Sequence, residues 1–350
     1  VAGGGYGPLC RLFGLVSDHL YAVEVVVADR RGQVRGVVAT REEDDPNRDL
    51  WWAHTGGGCG AFGVVTRFWF RSPGATRDTE PDRMLPAPPA TALTFTGEWS
   101  WEGMDHERFA RMVRNHGRWA ERHAGAGDKA AALYAEFALT RRAAGAHRLR
   151  GQVAAEHGGD RRLLHEFIGA ISAGTSRPAT LTVRRLPWLT AALHGSGEPA
   201  GDGHGHTTTE SAFLRRRFTD RQIGVLHRHL TRTDTGVVAG RVAVNTYGGA
   251  VNTPSPGDTA TAHRDSVLNV SHLASWEKPE QAPEYLSWIR ECHRDLFART
   301  GGDSALVPCP DTDPAGPDLC FRQNAARLRR VKARWDPRDV FRHALSPAPE

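Results

Sequence analysis

The sequence predicts an α+β fold in which one sheet is covered by helices on a single face. The main observation is a mixture of periodicities, because β-branched and alternating segments occur between segments whose apolar residues have helical spacing. A proline-rich stretch at residues 81–89 predicts a boundary between an N-terminal part and the rest of the chain. Two glycine clusters, at residues 3–7 and 56–63, lie within that N-terminal part.

The N-terminal part begins with a predicted β-hairpin. Residues 20–29 are rich in β-branched side chains and end in a polar turn, and residues 33–40 follow as a second strand. A short helix is expected at residues 46–54, and the second glycine cluster then leads into a third strand at residues 63–71.

The middle of the chain alternates between strands and helices, which is the pattern of a layered α+β domain. Predicted strands lie at residues 92–100, 131–140, 147–156, 179–187, 240–247 and 266–273. Helices are predicted at residues 105–124, 160–172, 219–232 and 280–300, with a last helix at 322–334. Residues 194–210 are rich in Gly, His and Thr and are expected to form a loop.

The composition excludes several classes of protein. No apolar run approaches the roughly 18 residues of a membrane-spanning helix, so a soluble protein without a membrane partner is expected. Five cysteines form no C-x-x-C pair, which argues against a disulfide scaffold and a zinc ribbon. The net charge of +5 could suggest nucleic acid, but only three of 45 basic residues are lysine and acidic residues follow at 42–45. A GC-rich coding bias, which favours arginine over lysine, explains the excess of arginine. No nucleic-acid partner is therefore expected.

Taken alone, the motifs leave alternatives open. Each glycine cluster could form turns or hold a ligand against the main chain. His204 and His206 lie in a polar segment and are expected to be solvated rather than to bind a metal. Cys309 and Cys320 could form a bridge, although nothing nearby requires one. Tyr247 follows a predicted strand and is either a residue at the edge of the core or one that points into a cleft.

Several strings resemble one family. Residues 3–9 read GGGYGPL, residues 13–20 read FGLVSDHL, and residues 62–66 read FGVVT. The tail at residues 327–343 reads RLRRVKARWDPRDVFRH. Together they are similar to the berberine bridge enzyme-like FAD-linked oxidases, within the vanillyl-alcohol oxidase superfamily.

The resemblance implies a fold and an activity. Residues 1–75 would be the C-terminal part of a PCMH-type FAD-binding domain, and residues 76–305 a substrate domain with an antiparallel sheet covered by helices. Residues 306–350 would return to the FAD domain. The implied reaction transfers hydride from an alcohol or related C–H of a sugar or natural product to flavin N5, and dioxygen reoxidises the flavin. The partners would therefore be a small-molecule substrate and dioxygen.

The resemblance also assigns residues to FAD. They are Gly4, Gly5, Tyr6, Gly7, Asp18, Leu20, Gly57, Gly63, Val65 and Asn324. Tyr247 matches a position near the substrate in relatives and is a candidate catalytic residue, whereas no metal ligand is expected.

The departures from the family pattern support an alternative. Cys309 stands where the family has its catalytic tyrosine, and the histidine and cysteine that can link flavin covalently in relatives would lie upstream of residue 1, so Cys10 is not the linking cysteine. Because the chain opens on Val1 inside a motif, we expect it to be the back part of a longer protein whose compartment the sequence does not reveal. The alternative function is a truncated or decayed homologue that retains at most ligand binding.

Overall fold

The computed structural model describes residues 1–58, 60–155, 160–194, 205–298, 304–307, 321–343 and 346–349. The chain divides into two compact units. The first unit comprises Val1–Pro88, Val251–Asp265 and Asp313–Glu350, and the second comprises Pro89–Ala250 and Ser266–Thr312. The first unit is therefore built from three separate stretches of chain.

Eleven strands and eight α-helices lie within the described residues. The strands are β1 Leu20–Ala28, β2 Val34–Thr40, β3 Val64–Phe70, β4 Thr91–Ser100, β5 Leu133–Thr140, β6 Ala146–Ala154, β7 Thr180–Pro187, β8 His206–Leu214, β9 Gly240–Thr246, β10 Leu268–Trp276 and β11 Ser304–Val307. The helices are α1 Cys10–Phe13, α2 Arg48–Ala53, α3 His106–Arg122, α4 Asp160–Ser172, α5 Trp188–His194, α6 Asp220–Thr231, α7 Ala282–Phe297 and α8 Ala325–Trp335.

The first unit is organised around a three-stranded antiparallel sheet with the order β2-β1-β3. Its strands are rich in valine, and Val25 pairs with Val37 on one side and Val65 on the other. Branched side chains suit this pleated, half-buried surface. The core under the sheet includes Trp52 of α2 and Leu328 of α8, so the C-terminal helix completes a core that begins at the other end of the chain.

The second unit contains an eight-stranded antiparallel sheet with the order β11-β8-β10-β9-β5-β6-β4-β7. Side chains alternate between its faces, since successive residues of a strand point to opposite sides. The core on one face includes Phe109 of α3, Phe167 of α4, Leu226 of α6 and Ile289 of α7. These four helices therefore cover one face, and the alternate residues of each strand are turned to the opposite face.

Local capping explains where two of these helices begin. The side chain of Asp105 accepts a hydrogen bond from Arg108 N at 2.8 Å, which satisfies a donor in the first turn of α3. At the start of α6, Thr219 and Gln222 form a capping box through reciprocal bonds between side chain and backbone.

Most predicted elements are confirmed, and three were missed. The hairpin, the third strand and helices α3, α4, α6 and α7 lie where the patterns predicted them. The prediction of a loop at residues 194–210 is wrong in its last part, because His206 begins strand β8 and its ring stacks on Trp276. His204 lies outside the described residues. Helix α5 and the short strand β11 also carried too weak a periodicity to be predicted.

The boundaries of the two compact units differ from the domain ranges expected from the sequence. The first boundary lies between Pro88 and Pro89, inside the proline-rich stretch rather than at residue 75. Residues 251–265 belong to the first unit although they lie within the range expected for the substrate domain. The functional roles attached to the three ranges stay predictions. Among the described residues, no helix is long and apolar enough to cross a bilayer.

The core of the second unit contains a histidine that burial keeps neutral. His147 is 0% exposed, its ring lies 4.3 Å from that of Trp101, and its Nδ1 accepts a hydrogen bond from Thr140 N. Burial lowers the pKa of His147 from 6.5 to about 3, with a smaller contribution from His227. The unfolded chain therefore binds a proton at this residue between about pH 6.5 and 3, whereas the folded chain does not.

This difference predicts acid sensitivity. The free energy of unfolding should fall as the pH drops below 6.5, by up to about 1.4 kcal/mol per pH unit for this residue. The variant His147→Gln keeps an acceptor for Thr140 N and should show a shallower dependence in urea titrations between pH 7 and 4. The exposed His165 of α4 provides the control variant His165→Gln, whose dependence should match the parent. Equal slopes for all three proteins would contradict the assignment.

Candidate functional site

The first glycine cluster forms a loop that is held by its own backbone. Gly5 O accepts a hydrogen bond from Val16 N at 3.1 Å, and Gly4 O accepts one from Ser17 N at 3.0 Å. At the end of the loop, Gly7 N donates to the Cys10 sulfur at 3.0 Å. The loop is thus laid along the turn formed by Val16–His19.

A buried ion pair connects this turn to the middle of the chain. The carboxylate of Asp18 accepts from Leu15 N at 2.8 Å and from Arg264 at 3.0 Å. Arg264 also donates to Val251 O and to Thr259 Oγ1, so its charge is surrounded by acceptors. Because burying either charge alone would be costly, these bonds hold the two segments together.

The second glycine cluster runs from the end of α2 to the start of β3 in a tightly packed loop. A Cβ atom added to Gly57 would lie 2.5 Å from Ala53 O and 2.5 Å from a methyl group of Leu328. A Cβ atom added to Gly63 would lie 2.5 Å from Val26 O. These two glycines are therefore required by the close approach of the protein to itself.

The two glycine loops and residues 251–265 meet. Gly58 N donates to Ala2 O at 3.3 Å, which joins the loops directly. Thr261 donates to Thr55 O through both its backbone N and its Oγ1, at 3.3 and 3.0 Å. The Asn324 side chain, just before α8, donates to the carbonyl groups of Pro256, Thr259 and Ala260.

The C-terminal tail is anchored by a buried lysine. Lys332 of α8 is 0% exposed, and its Nζ donates to Ala61 O at 2.8 Å, to Asp336 at 2.6 Å and to Phe341 O at 2.6 Å. The Asp336 carboxylate also accepts from Val340 N and Phe341 N. One ammonium group thus connects the helix, the turn that follows it and the second glycine loop.

Parts of this assembly leave room for a ligand against the main chain. Among the described residues, apart from the neighbours in the chain, no heavy atom lies within 4 Å of the position that a Cβ on Gly7 or Gly60 would occupy, and the nearest to Gly58 is at 4.0 Å. The hydroxyl of Ser17, 1% exposed, has no hydrogen-bond partner among the described residues. Open glycine backbone in both loops, together with a buried unpaired hydroxyl on the turn to which the first loop is bonded, fits an elongated polar ligand.

Comparison with known proteins identifies the family. A family model described as "Berberine and berberine like" matches residues 312–346. Aclacinomycin-N/aclacinomycin-A oxidase of Streptomyces galilaeus is 44% identical over all of this chain and 66% of its own length. The crystal structure of aclacinomycin oxidoreductase, 44% identical, superposes with a TM-score of 0.91 over all of this chain and 74% of the other. A glycopeptide hexose oxidase crystallised with teicoplanin is 38% identical, with a TM-score of 0.88, and the match covers all of this chain and 73% of the other.

The chain belongs to the berberine bridge enzyme-like FAD-linked oxidases. By family it is an FAD-linked oxidoreductase, and its cofactor is FAD. It spans about two thirds of the length of the Streptomyces oxidase.

All the residues assigned to FAD from the sequence lie in the first unit. They are Gly4, Gly5, Tyr6, Gly7, Asp18, Leu20, Gly57, Gly63, Val65 and Asn324. The loops bring most of them together, but Leu20 is fully buried at the start of β1 and its carbonyl accepts from the Trp51 ring nitrogen at 3.0 Å. Val65 packs against the core of the sheet. Their contacts with the cofactor stay predictions.

Of the two candidate catalytic residues, Tyr247 and Cys309, the structure describes only Tyr247. Tyr247 follows β9 in the second unit, is 2% exposed, and has its ring 5.1 Å from that of Phe213. Parity along β9 turns its side chain to the face opposite the covering helices. Cys309 lies outside the described residues.

Cys10 has the properties of a core residue. Burial raises the pKa of its thiol to about 11, and its sulfur accepts from Gly7 N. A thiol in this state is a poor nucleophile at neutral pH.

Sequence reasoning missed Ser17, Arg264 and Thr261. Ser17 lies within residues 13–20, one of the segments that resemble the family. Its hydroxyl stands out as a candidate donor only in the structure, where it is buried without a hydrogen-bond partner among the described residues. Arg264 and Thr261 carry no sequence signal, because their partners Asp18 and Thr55 are more than 200 residues away.

Two glycine substitutions should separate packing from ligand binding. Gly57→Ala should lower the free energy of unfolding by about 1–3 kcal/mol, because the new methyl group meets a backbone carbonyl. Gly7→Ala should leave the melting temperature of the FAD-free protein unchanged but reduce the FAD content, because the open space beside Gly7 is assigned to the ligand. Thermal unfolding and visible absorbance measure the two effects. Unchanged stability in Gly57→Ala, or unchanged FAD content in Gly7→Ala, would contradict the corresponding assignment.

Proposed function

We propose that this chain is the substrate domain and part of the cofactor domain of an FAD-dependent oxidase. Its reaction removes a hydride from an alcohol or related C–H of a sugar or natural product and leaves a carbonyl group. The observation that carries the proposal is 44% identity, over the whole chain, to an oxidase. Relatives named for hexose oxidation and for a complex with teicoplanin support the substrate class.

FAD, when bound, supplies the hydride acceptor at N5 and returns to its oxidised form with dioxygen. Gly4, Gly5, Tyr6 and Gly7 would hold it through their backbone, with Ser17 Oγ as an added donor. Asp18 would act through its ion pair with Arg264, which keeps the first glycine loop in place. The second loop would be positioned by Gly57 and Gly63, and residues 251–265 by Asn324. The sheet would support both through Leu20 and Val65.

Tyr247 is the residue we assign to proton transfer. As the carbinol carbon loses its hydride, the hydroxyl group must lose a proton, and the phenolate form of Tyr247, whose own proton has first passed to solvent, can accept it. Tyr247 is buried and presented at the end of a strand, which holds its ring in one position against Phe213. A rigidly held base is what general base catalysis requires.

Cys309 is the second candidate, because the resemblance aligns it with the family's catalytic tyrosine. A thiol is a shorter and more acidic group than a phenol, so it would place the accepting atom differently. The two candidates make different predictions for substitution.

The test uses the chain expressed with any residues that precede Val1 in its gene. The purified protein should carry FAD, alcohol-bearing sugars should bleach the flavin absorbance without oxygen, and air should restore it with release of peroxide. Tyr247→Phe should lower kcat roughly 10²- to 10⁴-fold with little change in KM. Tyr285→Phe is the matched control, since Tyr285 is also buried but lies in α7 with its hydroxyl bonded to Val238 N.

Each outcome separates the possibilities. If Cys309→Ala abolishes turnover and Tyr247→Phe does not, proton transfer belongs to Cys309. A protein that stays colourless after FAD supplementation would contradict the oxidase. So would a protein that binds FAD but whose flavin is not reduced by any hydroxyl compound, and either result would support the non-catalytic alternative.

A further inference from the structure

Strand β2 is an edge strand, because the strands described in the first unit have the order β2-β1-β3. An edge strand presents unpaired N–H and C=O groups to which another strand can bond, and proteins usually protect it with charges, proline, a bulge or a covering segment. Residues 34–38 read VRGVV and pair with β1 without a change of register. This part of the edge therefore has neither proline nor bulge, and Arg35 is its one charged residue.

The ladder between β1 and β2 shows which backbone groups of β2 face outwards. Arg41 N donates to Tyr21 O at 2.9 Å, and these two residues continue the register of the strand pair. Bonded and non-bonded pairs alternate along an antiparallel ladder, so the odd-numbered residues of β2 are the ones that bond to β1. The backbone groups that point to the open edge are therefore those of Val34, Gly36 and Val38.

The loop that follows β2 covers one end of this edge. The Asp45 carboxylate accepts from Thr40 N at 2.6 Å, and the Asn47 side chain donates to Val38 O at 3.1 Å. The rest of the edge is open, and its valine side chains are exposed, Val34 to 68% and Val38 to 47%. Residues 34–38 thus combine outward-facing backbone groups with an exposed apolar surface.

The two ends of β2 carry opposite charges. Arg30 and Arg31 lie in the exposed turn before the strand, and Glu43 and Asp44 lie in the exposed loop after it. None of these four side chains forms an ion pair within the described part of the chain. The strand has seven residues, which at about 3.3 Å per residue hold the two ends about 20 Å apart. Salt screens attraction over that distance, so these charges do little for each other within one chain.

The open edge is symmetric about Gly36. Two copies of β2 can pair antiparallel around a two-fold axis at this residue, with Val34 of each copy opposite Val38 of the other. Residues 30 and 42 are equally far from Gly36 along the chain. The same axis therefore brings the basic turn of each copy to the acidic loop of the other, and the contact is complementary to itself.

We propose that strand β2 is a homodimerisation edge through which two copies of this protein join their three-stranded sheets into one sheet of six strands. The occupant of the edge is a second copy because the charges at the two ends of the strand match each other in the antiparallel arrangement. One strand pair is a small contact, so the dimer should form at roughly micromolar protein concentrations. The proposal does not depend on the oxidase activity.

Sedimentation equilibrium of the FAD-loaded protein, expressed with any residues that precede Val1 in its gene, measures the dimer at roughly 1–100 µM. Gly36→Pro removes an N–H that faces the open edge and spares the ladder to β1, so it should weaken the dimer roughly tenfold or more. Gly36→Ala is the matched control, because it keeps the N–H and its methyl group meets no heavy atom within 4 Å. It should associate as the parent does.

Charge reversal tests the orientation of the two copies. Arg30→Glu and Glu43→Arg should each weaken the dimer, because each variant places like charges together at both ends of the paired strands. An equimolar mixture of the two variants has opposite charges at both ends and should form a heterodimer. Arg118→Glu, at an exposed position of α3, is the control and should associate as the parent does. Added salt should weaken the parent dimer.

A parent protein that is monomeric over the whole concentration range overturns the proposal. A dimer that Gly36→Pro and both charge reversals leave unchanged also overturns it, because its interface then lies elsewhere. Thermal unfolding shows whether Gly36→Pro folds. If it does not, the charge variants decide, and either unchanged association of the single reversals or no recovery in their mixture overturns the proposal.

Discussion

The first unit depends on the buried ammonium group of Lys332. Of the three lysines in the chain, Lys129 and Lys278 are exposed, whereas Lys332 is fully buried and bonded to Ala61 O, Asp336 and Phe341 O. A buried charge is stable only when such partners surround it, so the position of the C-terminal helix determines that of the second glycine loop. Through Gly58 and Ala2 the constraint reaches the first loop. The tail is thus part of the assembly that holds the two glycine loops, which we assign to the cofactor.

The second unit follows a different principle, because alternation along its strands produces two faces of opposite chemistry. One face, under four helices, is apolar and encloses neutral histidines such as His147. The opposite face carries polar residues such as Thr96, Glu136 and Asn245, and a one-residue shift of any strand would exchange the two faces. Strand register therefore determines which side chains pack under the helices and which lie on the opposite face.

The sequence predicted what depends on local pattern. Valine-rich alternation located β1 and β2, helical periodicity located α3 and α7, and the glycine strings led to the family. It did not predict that Thr96, Glu136 and Asn245 lie on one face, because these residues come together only through strand pairings across long stretches of chain. Nor did it predict that Arg264 would reach Asp18, or that Gly57 and Gly63 are required by contact with Ala53 and Val26. Residues 206–210 were predicted as loop because a histidine and three threonines are typical of a polar linker, although three successive β-branched residues also favour a strand.

The most direct test of the role of Lys332 is hydrogen exchange at the second glycine loop. In Lys332→Met, which leaves the Asp336 carboxylate buried without its cationic partner, we expect faster exchange at the amides of Ala61 and Phe62 together with those of α8, and loss of FAD. Removing one partner of a buried pair costs about 3–5 kcal/mol, which is enough to open such a segment locally. Lys129→Met, at an exposed lysine, should exchange as the parent does. Faster exchange confined to α8, with the loop still protected and FAD retained, would contradict the account.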